Sequence, residues 1–129
     1  MKATIRNTML GAVMMIGMAS VGATAQTAQT AEPTFKGDPS VYKVIFEDAN
    51  FRVIEGTRAA GVHDKPHGHP LPSIVYNVTD CPSKVYAADG KVTENNGKAG
   101  AVTAIPVIPS HSAENIGTSV CKQIFIEKK

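Results

Sequence analysis

The sequence has no tryptophan, and its few Phe and Tyr residues bring the aromatic content to only 5%. A core must therefore be built from aliphatic side chains, and Val and Ile recur throughout the chain after residue 40. These β-branched residues favour strands, because their side chains pack well on a pleated surface. With 129 residues, 43% of them hydrophobic and 19% charged, the composition excludes a disordered protein and suits one globular domain.

Only one stretch of the chain is long and apolar enough to suggest a membrane or export signal, and it lies near the N-terminus. Lys2 and Arg6 precede an uncharged, mostly apolar run at residues 9–22, and Ala-Thr-Ala follows at 23–25. This order predicts a secretory signal peptide over residues 1–25, with cleavage after Ala25 and a mature protein that is periplasmic or secreted. A membrane anchor is the alternative, but the run is shorter than the about 20 residues that a spanning helix needs.

The mature chain also lacks an excess of charge of either sign. Removal of the signal peptide takes away Lys2 and Arg6 but no acidic residue, so the formal net charge falls from +2 to zero. A neutral domain without a basic stripe gives no support for a nucleic-acid partner. No later segment is predicted to cross a membrane, so we expect neither nucleic acid nor membrane among the partners of the mature protein.

Cysteine is scarce, with Cys81 and Cys121 as the only two. In an exported protein such a pair predicts a disulfide bond, and closing a loop of about 40 residues would stabilise the fold by up to about 4 kcal/mol. The alternative is a thiolate metal ligand or a redox pair. Because neither cysteine lies next to a histidine and the two do not form a Cys-x-x-Cys motif, the structural bridge is favoured.

Helical periodicity is absent from the body of the chain, which instead contains about eight short strand-like runs. They recur every 8–12 residues with Gly, Pro or Asn in nearly every gap, which is typical of an all-β sandwich or barrel. Asp89-Gly90 is a hairpin signal, and a strand at 101–108 is expected to end in a turn at Pro109-Ser110. Residues 26–40, rich in Thr, Ala and Gln, are predicted to be a flexible leader before a barrel domain at 41–129.

Four histidines are present, at positions 63, 67, 69 and 111. His67 and His69 are two residues apart, so on a strand both side chains point to the same face. If a barrel folds the segment of His111 against them, three imidazoles meet at one point. Three protein ligands with an open position would form a reactive or ligand-accepting metal site, whereas a lone His-x-His pair on the surface would have no such role.

The spacing of these histidines resembles the two sequence motifs of the cupins, as found in small single-domain bacterial members of the RmlC-like superfamily. The motifs here are Gly61-x5-His67-x-His69 and Gly100-x5-Pro106-x4-His111-x3-Asn115. The resemblance implies a cupin-type double-stranded β-helix, or jelly-roll barrel, over essentially the whole mature domain. It also implies one divalent metal bound by His67, His69 and His111, a small-molecule ligand, and pairing of barrels into a homodimer.

The sequence departs from the cupin motifs at two positions. The glutamate expected four or five residues after the second histidine is replaced by Ser73 or Ile74, so the usual carboxylate ligand is missing. Ile108 replaces a glycine in the second motif. His63, Asp64 and Gln123 are candidates for a fourth ligand, and His63, Ser73 and Gln123 are candidates for supporting the ligands from behind.

Three hypotheses about function follow. The first is a metal-dependent oxidoreductase, with Fe(II) held by three histidines and open positions for O2 and a small organic substrate, as in a dioxygenase. The second is a non-catalytic cupin that binds a small molecule or a metal, which the missing carboxylate favours. The third is a structural protein with a vestigial cluster. Three imidazoles suit Fe, Mn, Ni, Cu or Zn, so the metal and the catalytic residues stay unknown.

Overall fold

The structure is a computed structural model that describes residues 30–129. Over this range the chain forms one helical turn and nine strands, so the all-β prediction is confirmed. The elements are α1 (Thr34–Gly37), β1 (Tyr42–Glu47), β2 (Phe51–Arg58), β3 (His67–His69), β4 (Ser73–Asn77), β5 (Cys81–Ala87), β6 (Val92–Gly97), β7 (Val102–Ile105), β8 (Ile108–Asn115) and β9 (Cys121–Lys128). The predicted signal peptide lies outside the described residues.

Two antiparallel sheets make up the barrel. One has five strands in the order β1-β2-β9-β4-β7, and the other has four in the order β3-β8-β5-β6. From β6 onward, successive strands alternate between the two sheets, as in a double-stranded β-helix. Alternation within strands is clear in β4, where Ser73, Val75 and Asn77 are buried while Ile74 and Tyr76 face outward. The period of two therefore fixes which side chains enter the interior.

The core lies between the sheets and is mainly aliphatic and aromatic. Val41, Tyr42, Ile54, Val75 and Phe125 form one buried cluster, in which Ile54 is fully buried. Tyr42 packs edge-on against Phe125, with their ring centroids 5.8 Å apart. Only a few large side chains fill the core, and a cavity occupies a substantial part of the remaining interior.

The disulfide predicted between Cys81 and Cys121 is present. It joins the first residue of β5 to the first residue of β9, so it ties one sheet to the other at one end of the barrel. Both cysteines are buried. We refer to this end of the barrel as the disulfide end.

The first described residues pack against the barrel, which differs from the flexible leader expected up to residue 40. We call residues 31–38 the N-terminal strap. The amide of Gly68 donates to the carbonyl of Glu32 at 2.8 Å, and the amide of Ala31 donates to the carbonyl of Pro109 at 2.9 Å. Thr34 and Asp38 are buried. Main-chain hydrogen bonds to a strand edge hold this segment, and its Thr- and Pro-containing composition gave no signal of them.

Turn residues behave largely as the sequence predicts. Gly90 has a φ of 85° in the hairpin between β5 and β6, in the left-handed region that glycine adopts without strain. The turn expected at Pro109-Ser110 is wrong, because both residues lie within β8, which carries His111 in its middle. Proline is tolerated there because the Pro109 carbonyl, and not its nitrogen, makes the contact with Ala31. Among the described residues, no helix is long and apolar enough to cross a membrane.

Candidate metal centre

Three histidines meet inside the barrel where β3 pairs with β8. His67 is the register partner of His111 across these antiparallel strands. One ring nitrogen from each of His67, His69 and His111 lies within 4.8 Å of those of the other two. The Nε2 atoms of His69 and His111 are 3.0 Å apart. The structure thus brings together the three side chains that the sequence singled out as metal ligands.

The hydrogen bonding of His67 leaves one ring nitrogen free to bind a ligand. Its Nδ1 donates to the carbonyl of Lys65 at 2.8 Å, which fixes the tautomer that carries a lone pair on Nε2. That Nε2 atom is buried and has no hydrogen-bond partner among the described residues. Leaving a buried acceptor unsatisfied costs about 1–3 kcal/mol. We therefore expect Nε2 of His67 to bind a group other than a side chain of this protein.

Burial keeps the three imidazoles in the neutral form that binds metals. Burial, together with the neighbouring imidazoles, lowers the pKa of His69 to about 3 and the pKa of His111 to about 4. Burial also lowers the pKa of His67, although the nearby Asp64 carboxylate opposes this shift. At neutral pH the site therefore presents three uncharged nitrogen donors.

Behind His67 lies a buried ion pair between Arg58 and Asp64. Arg58 Nη1 is 2.9 Å from Asp64 Oδ2, and the Tyr42 hydroxyl donates to the same oxygen at 2.7 Å. The other carboxylate oxygen accepts from the amide of Ala113 at 2.6 Å and lies 3.7 Å from His67 Nδ1. Asp64 therefore neutralises Arg58 and holds the segment of His67 against β8. Its carboxylate faces the side of the ring opposite the free nitrogen.

A cavity of about 610 Å³ opens in front of the histidines and runs through the barrel toward the disulfide end. His69 and His111 line it, together with residues from both sheets. Its charged lining residues are Arg58 and Lys98, and no Asp or Glu of the described chain lines it. A ligand of the histidine site therefore has room, and it meets cationic and neutral groups only.

Of the other predicted site residues, Gln123 lines the cavity, whereas Ser73 and His63 do not. Gln123 lines the cavity and bonds both Arg58 and Asn77. Ser73 is buried and donates to the carbonyl of Leu71 at 3.1 Å. His63 hydrogen-bonds Ser112 at 2.9 Å and stacks on Tyr86. Ser112 alternates with the inward-facing His111 and Ala113, so the contacts of His63 lie on the far side of β8 from the cavity.

Sequence reasoning did not find the part played by Arg58 and Tyr42, and it weighed Asp64 only as a fourth ligand. Within residues 30–129, the group of potential ligand atoms contains the three histidines and no carboxylate. The available signal was Arg58 itself, a charged residue at the end of a strand-like run, since such a residue is seldom buried without a partner. Asp64, two residues before Pro66 and three before His67, was the first acidic residue after that strand end.

The fold of the chain is similar to those of several solved structures. The chain is similar to a cupin domain from Bordetella pertussis Tohama I, with a TM-score of 0.64 and 19% identity over 76% of this chain and 96% of that chain. It is also similar to an RmlC-like cupin family protein with a double-stranded β-helix fold from Methanocaldococcus jannaschii, with a TM-score of 0.56 and 10% identity over 68% and 78% of the two chains. The chain is a small cupin-fold protein.

One similar cupin structure belongs to an enzyme with a stated reaction. It is a variant of oxalate decarboxylase from Bacillus subtilis, with a TM-score of 0.51 and 27% identity over 62% of this chain and 22% of that chain. The matched part of the present chain thus corresponds to about a fifth of that enzyme. No family model matches the sequence, and no curated protein is significantly similar to it. The histidine group of this cupin is compatible with a divalent metal.

Proposed function

We propose that this protein is an exported cupin that binds one divalent transition-metal ion through His67, His69 and His111. The observation that carries the proposal is the buried Nε2 of His67, which has no partner in the described chain and belongs to a group of three converging ring nitrogens. Neutral imidazoles are suitable ligands for Fe, Mn, Ni, Cu and Zn ions. The residues at this site therefore fit such an ion.

The protein supplies three ligands and leaves further coordination positions toward the cavity. A bound ion would supply Lewis acidity there and, if it were redox-active, an electron-transfer centre. Lys65 holds the His67 ring through its carbonyl, and Asp64 lies behind the same ring. Such contacts orient the ligands of a metal site and commonly change its affinity by about 10–100-fold.

Metal titration tests the proposal. Chelator-treated protein, titrated with Co(II), Zn(II) or anaerobic Fe(II), should take up one ion per chain. The double substitution His67→Ala, His69→Ala should weaken binding by more than about 100-fold, since direct ligands matter more than the groups that orient them. His63→Ala is the matched control and should bind normally. Equal metal uptake by the double variant and the control would refute the site.

The proposal also includes catalysis at this site. We infer an iron-dependent oxidoreductase of the dioxygenase kind, because three histidines and an open cavity leave room for O2 and an organic substrate. Fe(II)-loaded protein should then consume oxygen with phenolic or dicarbonyl compounds, and the His67→Ala, His69→Ala variant should not. Tight ligand binding without turnover would instead select the second function, a non-catalytic binding cupin, which the absence of a carboxylate ligand favours.

Export to an oxidising compartment is also proposed, with the disulfide as its structural support. The mature protein should begin at Gln26, as read by N-terminal sequencing of material recovered from the periplasm or medium. A chain that retains residues 1–25 in the cytoplasm would contradict this.

We further propose that two copies pair through the outer face of the five-stranded sheet. Ile74, Tyr76 and Val102 are 41–63% exposed on that face. They neighbour one another in the register of β4 and β7, and the exposed Ile126 of β9 lies opposite Ile74. Sedimentation should show a dimer that Val102→Glu converts to a monomer and that Val92→Glu, on the other sheet, leaves intact.

A further inference from the structure

The cavity changes chemical character along its length. On the four-stranded sheet, His111 is followed inward by Ala113 and its partner Val85, and then by Ser83, which pairs with Asn95. These positions are two residues apart along their strands, so each step is about 7 Å. A histidine layer, an apolar layer and a polar layer thus follow one another from the metal site toward the disulfide end.

The opposite wall, in the five-stranded sheet, repeats the apolar and the polar layers, while both cavity-lining histidines belong to the four-stranded sheet. His69 stacks on Phe125 with ring centroids 5.6 Å apart, and Phe125 pairs with Val75 across β9 and β4. Two residues further along, Gln123 pairs with Asn77. Gln123 Nε2 donates to Asn77 Oδ1 at 2.8 Å, so the two amides form one polar surface beyond the apolar layer.

The polar ends of both walls meet near Lys98. Asn77 Nδ2 donates to the carbonyl of Lys98 at 3.3 Å, and a Cβ at Gly97 would lie 2.6 Å from the same nitrogen. The ammonium of Lys98 is 3.5 Å from Asp80, and both side chains of this pair are more than half exposed. Such an exposed ion pair contributes little, so Lys98 remains available to a ligand at the mouth of the cavity.

Charge balance favours an acidic ligand. A divalent ion held by three neutral imidazoles would leave two positive charges without a protein anion, because Asp64 is already paired with Arg58. No acidic side chain of the described residues lines the cavity, whereas Lys98 adds a cation at the far end. Unpaired charge in a partly buried site is costly, so a ligand that carries negative charge to both ends is stabilised by them.

We propose that the cavity binds an organic diacid, a carbon chain with a carboxylate at each end. Its chelating head, a carboxylate with a neighbouring oxygen, meets the metal site, its carbon chain lies against Val75, Val85 and Phe125, and its terminal carboxylate reaches Lys98 and the Asn77–Gln123 amides. The histidine layer and the polar layer are two such steps, or about 14 Å, apart, and this distance is the upper limit of the head-to-tail length. This inference rests on the proposed metal site and adds the class of ligand that the site would accept.

Two probe molecules that differ only at the tail test the inference. Calorimetry with Co(II)-loaded protein would compare 2-oxooctanedioate with 2-oxooctanoate, which has the same head and chain but no terminal carboxylate. We expect the diacid to bind about tenfold more tightly, in the range of a charge-assisted hydrogen bond. Both probes should change the visible absorption of Co(II), because both carry the chelating head.

Lysine variants separate a specific tail contact from general attraction. Lys98→Gln should remove most of the preference for the diacid. Lys84→Gln, which removes a similarly paired lysine on the outside of the barrel, should leave it intact. Equal affinity for the two probes, an unchanged preference in Lys98→Gln, or diacid binding without a change in Co(II) absorption would each overturn the inference. A failure of the protein to take up Co(II) would instead refute the metal site itself, so the two failures are distinguishable.

Discussion

Asp64 shows how much a single carboxylate can contribute inside this barrel. It accepts hydrogen bonds from Tyr42, Arg58 and the amide of Ala113, and its side chain is fully buried. The pair it forms with Arg58 is shielded from water and from salt. By contrast, the ion pairs on the barrel surface, such as Lys84 with Glu94, are partly exposed and contribute little to stability.

Replacing Asp64 by Asn should destabilise the protein by about 3–5 kcal/mol, because the buried Arg58 guanidinium would lose its counter-charge. Urea unfolding followed by circular dichroism measures the change. Glu94→Gln, which breaks the exposed pair with Lys84, should cost less than about 1 kcal/mol. A loss for Asp64→Asn no larger than for this control would show that the buried pair is not a main support of the fold.

Residue types and short spacings in the sequence were enough to predict the three histidines of the site. His67 and His69 are local neighbours, and the motif around His111 is also short, so sequence spacing alone indicated both halves. The ion pair behind them could not be found in this way. Arg58 ends β2 and its hydroxyl partner Tyr42 begins the neighbouring β1, and their meeting with Asp64 depends on how the segment after β2 crosses to the other sheet.

Among the strands, β9 carries a buried glutamate in which only one of the two carboxylate oxygens has a partner in the described part of the chain. Glu127 is fully buried on β9 and pairs in register with Ser73, the position where the cupin motif would carry its glutamate. One of its oxygens is 3.1 Å from Arg52, and the other has no partner among residues 30–129. Burial raises the pKa of Glu127, and the hydrogen bond from Arg52 opposes that shift only in part.

This raised pKa predicts the sign of a pH effect. The folded state holds the proton more tightly than the unfolded chain, so ionisation of Glu127 lowers stability as pH rises through its folded-state pKa. Glu127→Gln should therefore stabilise the protein at pH 7 and have little effect at pH values below the ordinary carboxyl pKa. Urea unfolding of both proteins across this pH range measures the difference. Glu55→Gln, at a partly exposed pair with Lys122, should show no such trend.

Strand positions were predicted well where turn chemistry is local and poorly where it is not. Asp48 accepts hydrogen bonds from the amides of Asn50 and Phe51, so the turn between β1 and β2 is encoded in the turn residues themselves. The three-residue β3 gave no periodic signal of its own. The strap was missed for the same reason, since its contacts are main-chain bonds to Gly68 and Pro109.

At the scale of the whole molecule, the disulfide and the sheet contacts hold the barrel closed. Cys81 and Cys121 are 40 residues apart in sequence and join the two sheets. Removing the bond as Cys81→Ser, Cys121→Ser should lower the free energy of unfolding by up to about 4 kcal/mol on the chain-entropy model. Thermal or urea unfolding measures this. Wild-type protein unfolded with and without a reductant should show the same difference, and the absence of a difference would mean that the sheets need no covalent link.

The N-terminal strap also determines how the barrel behaves among its neighbours. β3 is an edge strand, and unpaired edges recruit strands from other molecules. Here the chain's own residues occupy that edge, through the bond from Gly68 to Glu32 and the bridge between Pro33 and Gly68. The N-terminal strap thus keeps this edge from pairing with strands of other molecules. A protein trimmed beyond Pro33 would expose the strand that carries His67 and His69, two of its four histidines.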